Sequence, residues 1–126
     1  MTSRATRSRR AALTQLCALA GLGLLGSVAP AQEPAPRIVE IEARRFKYTP
    51  DRVVLKRGEA VVIAFHSIDF VHGFNVPDLG IRADLLPGQI TRVPLRPTAA
   101  GNYAFLCDNF CGDGHETMSG VFVVEG

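Results

Sequence analysis

The stretch Cys107-Asp108-Asn109-Phe110-Cys111-Gly112-Asp113-Gly114-His115-Glu116-Thr117-Met118 stands between two apolar runs of strand length, Gly101 to Leu106 and Val121 to Glu125. It places two thiols, an imidazole and a thioether on one loop. Thiolate and thioether are soft donors and imidazole is borderline, a set that suits copper or zinc and suits magnesium or calcium poorly. The methionine favours copper. A weak axial thioether belongs to electron-transfer copper, whereas structural zinc closes its tetrahedron with Cys and His.

Working outward from this loop, apolar runs of strand size recur between turn signals, and no stretch keeps a helical period over a useful length. In Ile38 to Arg44, Val39, Ile41 and Ala43 alternate with Glu40, Glu42 and Arg44, as a strand with one wet face does. Tyr48-Thr49-Pro50-Asp51 reads as a turn, Arg52 to Lys56 as a short strand and Arg57-Gly58-Glu59 as another turn. Ala60 to Ser67 is the most continuous apolar run and therefore a central strand. Val71 to Val76 is closed by Pro77; Gly80 to Leu85 then turns through Pro87-Gly88 into Gln89 to Leu95. There is no internal repeat or low-complexity tract. The pattern is all-β, and turn signals roughly every ten residues predict a two-sheet sandwich. Such a fold gathers its loops at two poles, so the segment Ile68 to His72 is expected to meet the Cys107 to Met118 loop and offer His72 as a further strong ligand.

Each donor has a plainer role to set against the metal. Two cysteines in an exported chain usually pair as a disulfide, and Cys107 and Cys111 can do so across three residues. The C-x3-C-x3-H-x2-M spacing, with Gly112 and Gly114 allowing a tight fold of the backbone, argues for a metal loop instead. A lone Met is ordinarily core packing and a lone His ordinarily surface or core; His66, mid-strand and outside any cluster, is read that way.

The chain has 126 residues, 47% hydrophobic and 21% charged, which fits one globular domain and not a disordered one. Its net charge of +2 is misleading, because Arg4, Arg7, Arg9 and Arg10 precede an apolar run from Ala11 to Val28 and all twelve acids follow it. The remainder carries ten basic residues against twelve acids, without the basic patch of a nucleic-acid binder. Residues 1–31 read as an export signal ending in Ala29-Pro30-Ala31, residues 32–36 as a linker and residues 37–126 as the domain. Ser8-Arg9-Arg10-Ala11-Ala12-Leu13 partly matches a twin-arginine signal, which implies a periplasmic location. The alternative is an uncleaved anchor facing the periplasm, since the run approaches the ~20 residues needed to cross a bilayer. Its Ala and Gly content makes it a weak span. Gly21, Gly23 and Gly26 spell G-x-G-x-x-G with no preceding strand, so no dinucleotide site is expected. Cys17 follows Leu16 where lipidation needs a small residue, and falls within the signal.

From about Phe46 onward the sequence resembles the copper-A domain of cytochrome oxidase subunit II. Ser67-Ile68-Asp69-Phe70-Val71-His72-Gly73-Phe74-Asn75-Val76-Pro77 is similar to that family's first-histidine segment, Leu86-Pro87-Gly88-Gln89 to its following turn and Cys107 to Met118 to its two-cysteine loop. The resemblance implies a cupredoxin-like Greek-key sandwich and a binuclear centre of two copper ions. In that pattern the Cys107 and Cys111 thiolates bridge both coppers, and His72 and His115 each complete one. Met118 and the Asn109 carbonyl are weak ligands. Two bridging thiolates let the coppers share one unpaired electron, so each bond changes little on redox and electron transfer is fast. Many family members carry Glu where Asn109 stands, and that carboxylate serves a second metal; Asn109 lacks it. The chain has no Trp for the family's electron-entry position, and it looks closer to the short subunits of the ba3 oxidase type, in which Phe46-Lys47-Tyr48 would fall in an aromatic strand, or to a free-standing domain.

Three functions follow as expectations. The chain is a periplasmic electron carrier between a cytochrome c-like donor and a terminal oxidase or reductase, the anchored subunit II of a haem-copper oxidase, or a copper storage or delivery protein. No hydrolytic or general-base constellation is present, so independent catalysis is not expected. Asp108, Asp113 and Glu116 have two readings: ordinary solvated loop residues, or acids that face outward around the metal edge and attract a basic donor.

Overall fold

Apolar and polar residues alternate along Arg37–Arg44, and the strand they form, β1, buries Ile41 and Ala43 while exposing Arg44. Eight more strands follow in the computed structural model, which describes residues 21, 23, 25–30 and 33–126. They are β2 (Lys47–Thr49), β3 (Arg52–Lys56), β4 (Val61–Ser67), β5 (His72–Val76), β6 (Ile81–Leu85), β7 (Ile90–Leu95), β8 (Gly101–Leu106) and β9 (Ser119–Glu125). Single 3-10 turns occupy Pro77–Leu79 and His115–Thr117. Contacts group Glu33–Gly126 as one unit.

The strands form a four-stranded sheet in the order β2-β1-β4-β7 and a five-stranded sheet in the order β3-β9-β8-β5-β6. In each sheet one pair is parallel, β1 with β4 and β3 with β9, and the other pairs are antiparallel. This is the cupredoxin-like sandwich. β4 lies inside its sheet, as its apolar run requires, with Val61, Ile63, Ala64, Phe65 and Ser67 buried.

The inner faces meet on aromatic rings. Phe74 lies 4.5 Å from Phe65, 5.6 Å from Phe105 and 6.1 Å from Phe122 between ring centroids. Tyr48 meets Phe105 edge-on at 5.1 Å. All five rings are buried, each stabilising the fold by roughly 1.5–3 kcal/mol through burial alone. The Tyr48 hydroxyl donates to the Gly73 carbonyl at 2.6 Å, so the buried phenol is satisfied. Burial, and then the nearby Cys107, drives its ionisation far above the usual tyrosine range.

Two readings of the sequence are corrected here. Tyr48 and Thr49 do not open a turn: they belong to β2, where Tyr48 pairs with Ala43 and Thr49 with Glu42. The run assigned from Gly80 begins at Ile81, because Gly80 has φ +63° and its N–H bonds back to the Pro77 carbonyl to end the 3-10 turn. The twin-arginine segment and Cys17 lie outside the described residues. Among the described residues, no helix is long and apolar enough to cross a membrane.

Strand directions assemble the site. β5 runs antiparallel to β8 and begins at His72, while β8 ends at Leu106, so His72 and Cys107 arrive at the same end of the sheet. The loop from Cys107 to Met118 joins β8 to β9 at that end. The β1–β2 turn lies there too, since the Ile68 N–H bonds to the Ala43 carbonyl.

Candidate metal centre

His72, Cys107 and Cys111 are buried, and their ligand atoms all lie within 4.8 Å of one another. The two sulfurs stand 4.0 Å apart as free thiols. Burial, and then the neighbouring Cys107, pushes the Cys111 thiol up to about 11. The Cys107 sulfur receives the Gly73 N–H at 3.3 Å and faces the Asn109 carbonyl at 3.2 Å.

His72 is held by one nitrogen and open at the other. Its Nε2 lies 2.7 Å from Asp69 Oδ1, an arrangement that keeps the proton on Nε2 and leaves the Nδ1 lone pair free. That Nδ1 is buried with no hydrogen-bond partner, and the same is true of His115 Nδ1. An unpaired buried nitrogen is costly unless something fills its place. Beside two thiols, a soft metal ion fits the His72 orphan and the donor set.

Of the residues picked out from the sequence, the structure brings His72, Cys107 and Cys111 together most tightly. His115 is half-buried on the same loop, outside that triad, with the exposed Phe110 ring 5.3 Å from its own. Met118 is buried, and its carbonyl accepts the Cys107 N–H at 3.0 Å, which closes the loop on itself. The Asn109 side chain donates to the Val71 carbonyl at 3.2 Å and so ties the cysteine loop to the His72 segment. Gly112 and Gly114 take φ +136° and +106°, and Phe46 lies flush against them, within 3.1 Å and 3.3 Å of where a Cβ would stand. His66 is partly exposed, 4.0 Å from Glu40 and away from the centre.

The acidic rim differs from the sequence reading. Asp108 does not stand free: Arg82 on β6 grips both its carboxylate oxygens, with Nη2 at 3.0 Å from Oδ1. Asp113 and Glu116 remain exposed. Four residues around the site were not foreseen: Arg45, Asp69, Tyr48 and Arg82. Asp69 was the most accessible to sequence reasoning, being a carboxylate three residues before a candidate ligand. Arg45 and Arg82 act across 66 and 26 residues respectively, without a local signal.

Comparison with known proteins agrees with this geometry. Residues 15–124 match the model of the cupredoxin-like domain. Cytochrome c oxidase subunit 2 of Thermus thermophilus is 33% identical over 92 residues, covering 73% of this chain; the match spans 68% of one curated sequence from that species and 55% of another. Among solved structures, a chain of a haem-copper terminal oxidase dimer superposes with a TM-score of 0.65 at 27% identity, covering 78% of this chain and 74% of its own. The apo form of a copper binding protein, determined by NMR, superposes with a TM-score of 0.60 at 29% identity, covering 75% and 92%.

Proposed function

The chain belongs to the cupredoxin-like domain family, with cytochrome c oxidase subunit 2 among its relatives, and from that membership we propose that it relays single electrons through a binuclear copper centre. The observation that carries this reading is the buried pair of free thiols 4.0 Å apart, with the unpaired Nδ1 of His72 beside them. Cys107 and Cys111 would hold the copper pair through their thiolates, with His72 and His115 as the other strong donors and Met118 and the Asn109 carbonyl as weak ones. When bound, the copper pair supplies a one-electron couple shared between two ions. The protein's part is to hold the donors still. Asp69 orients His72, the Gly73 N–H and the Met118 carbonyl fix Cys107, and Phe46 packs under the glycines of the loop.

Residues 1–31 are the export signal, and residues 37–126 are the copper domain working in the periplasm. The donor is a cytochrome c-like protein and the acceptor a terminal oxidase or reductase. Asp113 and Glu116 supply the negative charge that steers a basic donor, and salt screens that steering over ~8–10 Å. If the leader is retained, the same domain serves as an anchored oxidase subunit. The likeness to a copper binding protein supports a second reading, copper storage or delivery.

Electron paramagnetic resonance of the copper-loaded protein, with metal analysis, tests the centre. Two coppers per chain and hyperfine splitting from two equivalent nuclei are expected. A single-nucleus pattern at full loading refutes the binuclear centre, and rapid loss of copper to a chelator on reduction favours delivery over electron transfer. The mass of the mature protein, expected to begin at Gln32, tests the leader.

A further inference from the structure

We propose that Arg45, on the turn between β1 and β2, clasps the two ligand-bearing segments together and, by its fixed positive charge, raises the reduction potential of the centre they hold. The proposal rests on the copper reading above. Arg45 reaches both segments at once. Its backbone N–H donates to Asp69 Oδ2 at 2.8 Å, and the other oxygen of that carboxylate holds His72 Nε2 at 2.7 Å. Its side-chain Nε donates to the Cys111 carbonyl at 2.7 Å. The guanidinium then lies 4.4 Å over the ring of Phe70, two residues before His72. One residue from a third segment therefore touches the supports of a histidine ligand and of a cysteine ligand.

The chemistry is specific to arginine. Its N–H groups point in fixed directions from a plane that also stacks on an aromatic face, whereas an ammonium is a point charge on a flexible stem. Nε–H···O=C is charge-assisted and correspondingly strong, and the stacking on Phe70 fixes the plane from which it is made. The consequence for redox follows from the sign of the charge. The oxidised centre is the more positive state, so a neighbouring cation disfavours it. Burial also matters: Cys111 is shielded from solvent, and the Arg45 bond to its carbonyl is one of the contacts that keep the loop shut.

The test uses Arg45→Gln, Arg45→Lys and Phe70→Leu in the full chain, with two readouts. In copper-loaded protein, the midpoint potential of R45Q falls below wild type and R45K, which keeps the charge, recovers most of the difference. In copper-free protein, alkylation of Cys111 by a small reagent accelerates roughly tenfold or more in R45Q, as expected for losing one charge-assisted hydrogen bond that holds the loop closed. R45K accelerates too, because it lacks the Nε fork. Phe70 is partly exposed, so F70L folds even if R45Q does not, and it shifts both readouts in the same directions by a smaller amount. An unchanged potential in R45Q with its copper spectrum intact overturns the proposal, as does an unchanged alkylation rate. A single-nucleus copper signal in the wild-type protein removes the binuclear reading but leaves the alkylation arm able to sink or support the clasp.

Discussion

Replacing Gly73 with Ala tests whether the metal loop is seated directly on β5. A Cβ at this position would lie 2.0 Å from Asp108 Oδ1, 3.0 Å from the Asp108 amide nitrogen and 3.1 Å from the Asn109 amide nitrogen. Non-bonded carbon contacts settle near ~3.5–4.0 Å, so the carboxylate must retreat by more than about 1 Å and release at least part of its grip on Arg82. The Arg82 side chain of that pair is half exposed, so losing the pair adds little to the cost. The two amides belong to the backbone and cannot swing away, so the loop itself must shift, an overpacking cost of about 1–3 kcal/mol. Restricting the unfolded chain returns about 0.4–1 kcal/mol. The net expectation is a destabilisation of roughly 1–3 kcal/mol, dominated by the backbone contacts. Urea denaturation of the metal-free protein measures it. Because the displaced segment adjoins Cys107, copper affinity in a chelator competition should fall as well, since binding must draw the relaxed loop back to its wild-type position. Wild-type values for both the urea midpoint and the copper affinity would refute the seating of the loop on β5. Repeating the substitution with Asp108→Ala removes the closest clash but not the backbone ones, so most of the cost should persist.

Phe74→Ala empties the centre of the aromatic core two residues after His72 and should cost about 3–5 kcal/mol by urea denaturation; a cost near 1 kcal/mol would mean that the rings around it collapse into the space. Met118→Leu conserves volume at a buried site, so the metal-free protein should lose less than about 1.5 kcal/mol, while the loaded protein keeps its copper with a changed potential. Loss of both metals on that change would make the thioether a strong ligand. Since the Cys111 thiol is pushed up to about 11 and is protonated at neutral pH, copper loading must release its proton. Apparent affinity should therefore rise with pH, by about tenfold per unit for each proton displaced, up to the thiol's own range. Loading without acidification of a weakly buffered solution at pH 7 would contradict this.

The strand content was legible because each strand carries its own alternation and is bounded by its own turn residues. Arg52 to Lys56 and Gly101 to Leu106 were read with the boundaries they have in the fold. β2 was not legible. Pro50 is a strong turn signal, and a three-residue strand exists only because Ala43 and Glu42 are opposite it. The two thiols and His115 were visible as a spaced motif, and His72 followed once a sandwich was assumed, since loops at one pole must meet. Asp108 looked like a free surface acid because its partner, Arg82, lies on β6, 26 residues away, and no local spacing relates them. Arg45 was invisible for the same reason, its role consisting entirely of contacts with segments that sequence order keeps apart.

The parallel pairing of β3 with β9 has a consequence for how the molecule comes into being. Val53 finds its partner only in Phe122, so the five-stranded sheet lacks the strand between β3 and β8 until the C-terminal residues are present. Pairing across most of the domain's length pays its closure entropy before contacts reward it, which places folding in the slower range of small domains. Chains are made N-terminus first. The thiols are therefore translated before the strand that encloses them, and they spend that interval uncovered. The loop acquires its shape in the same cooperative step that inserts β9, so a chain ending before Ser119 would contain both cysteines and yet have no centre.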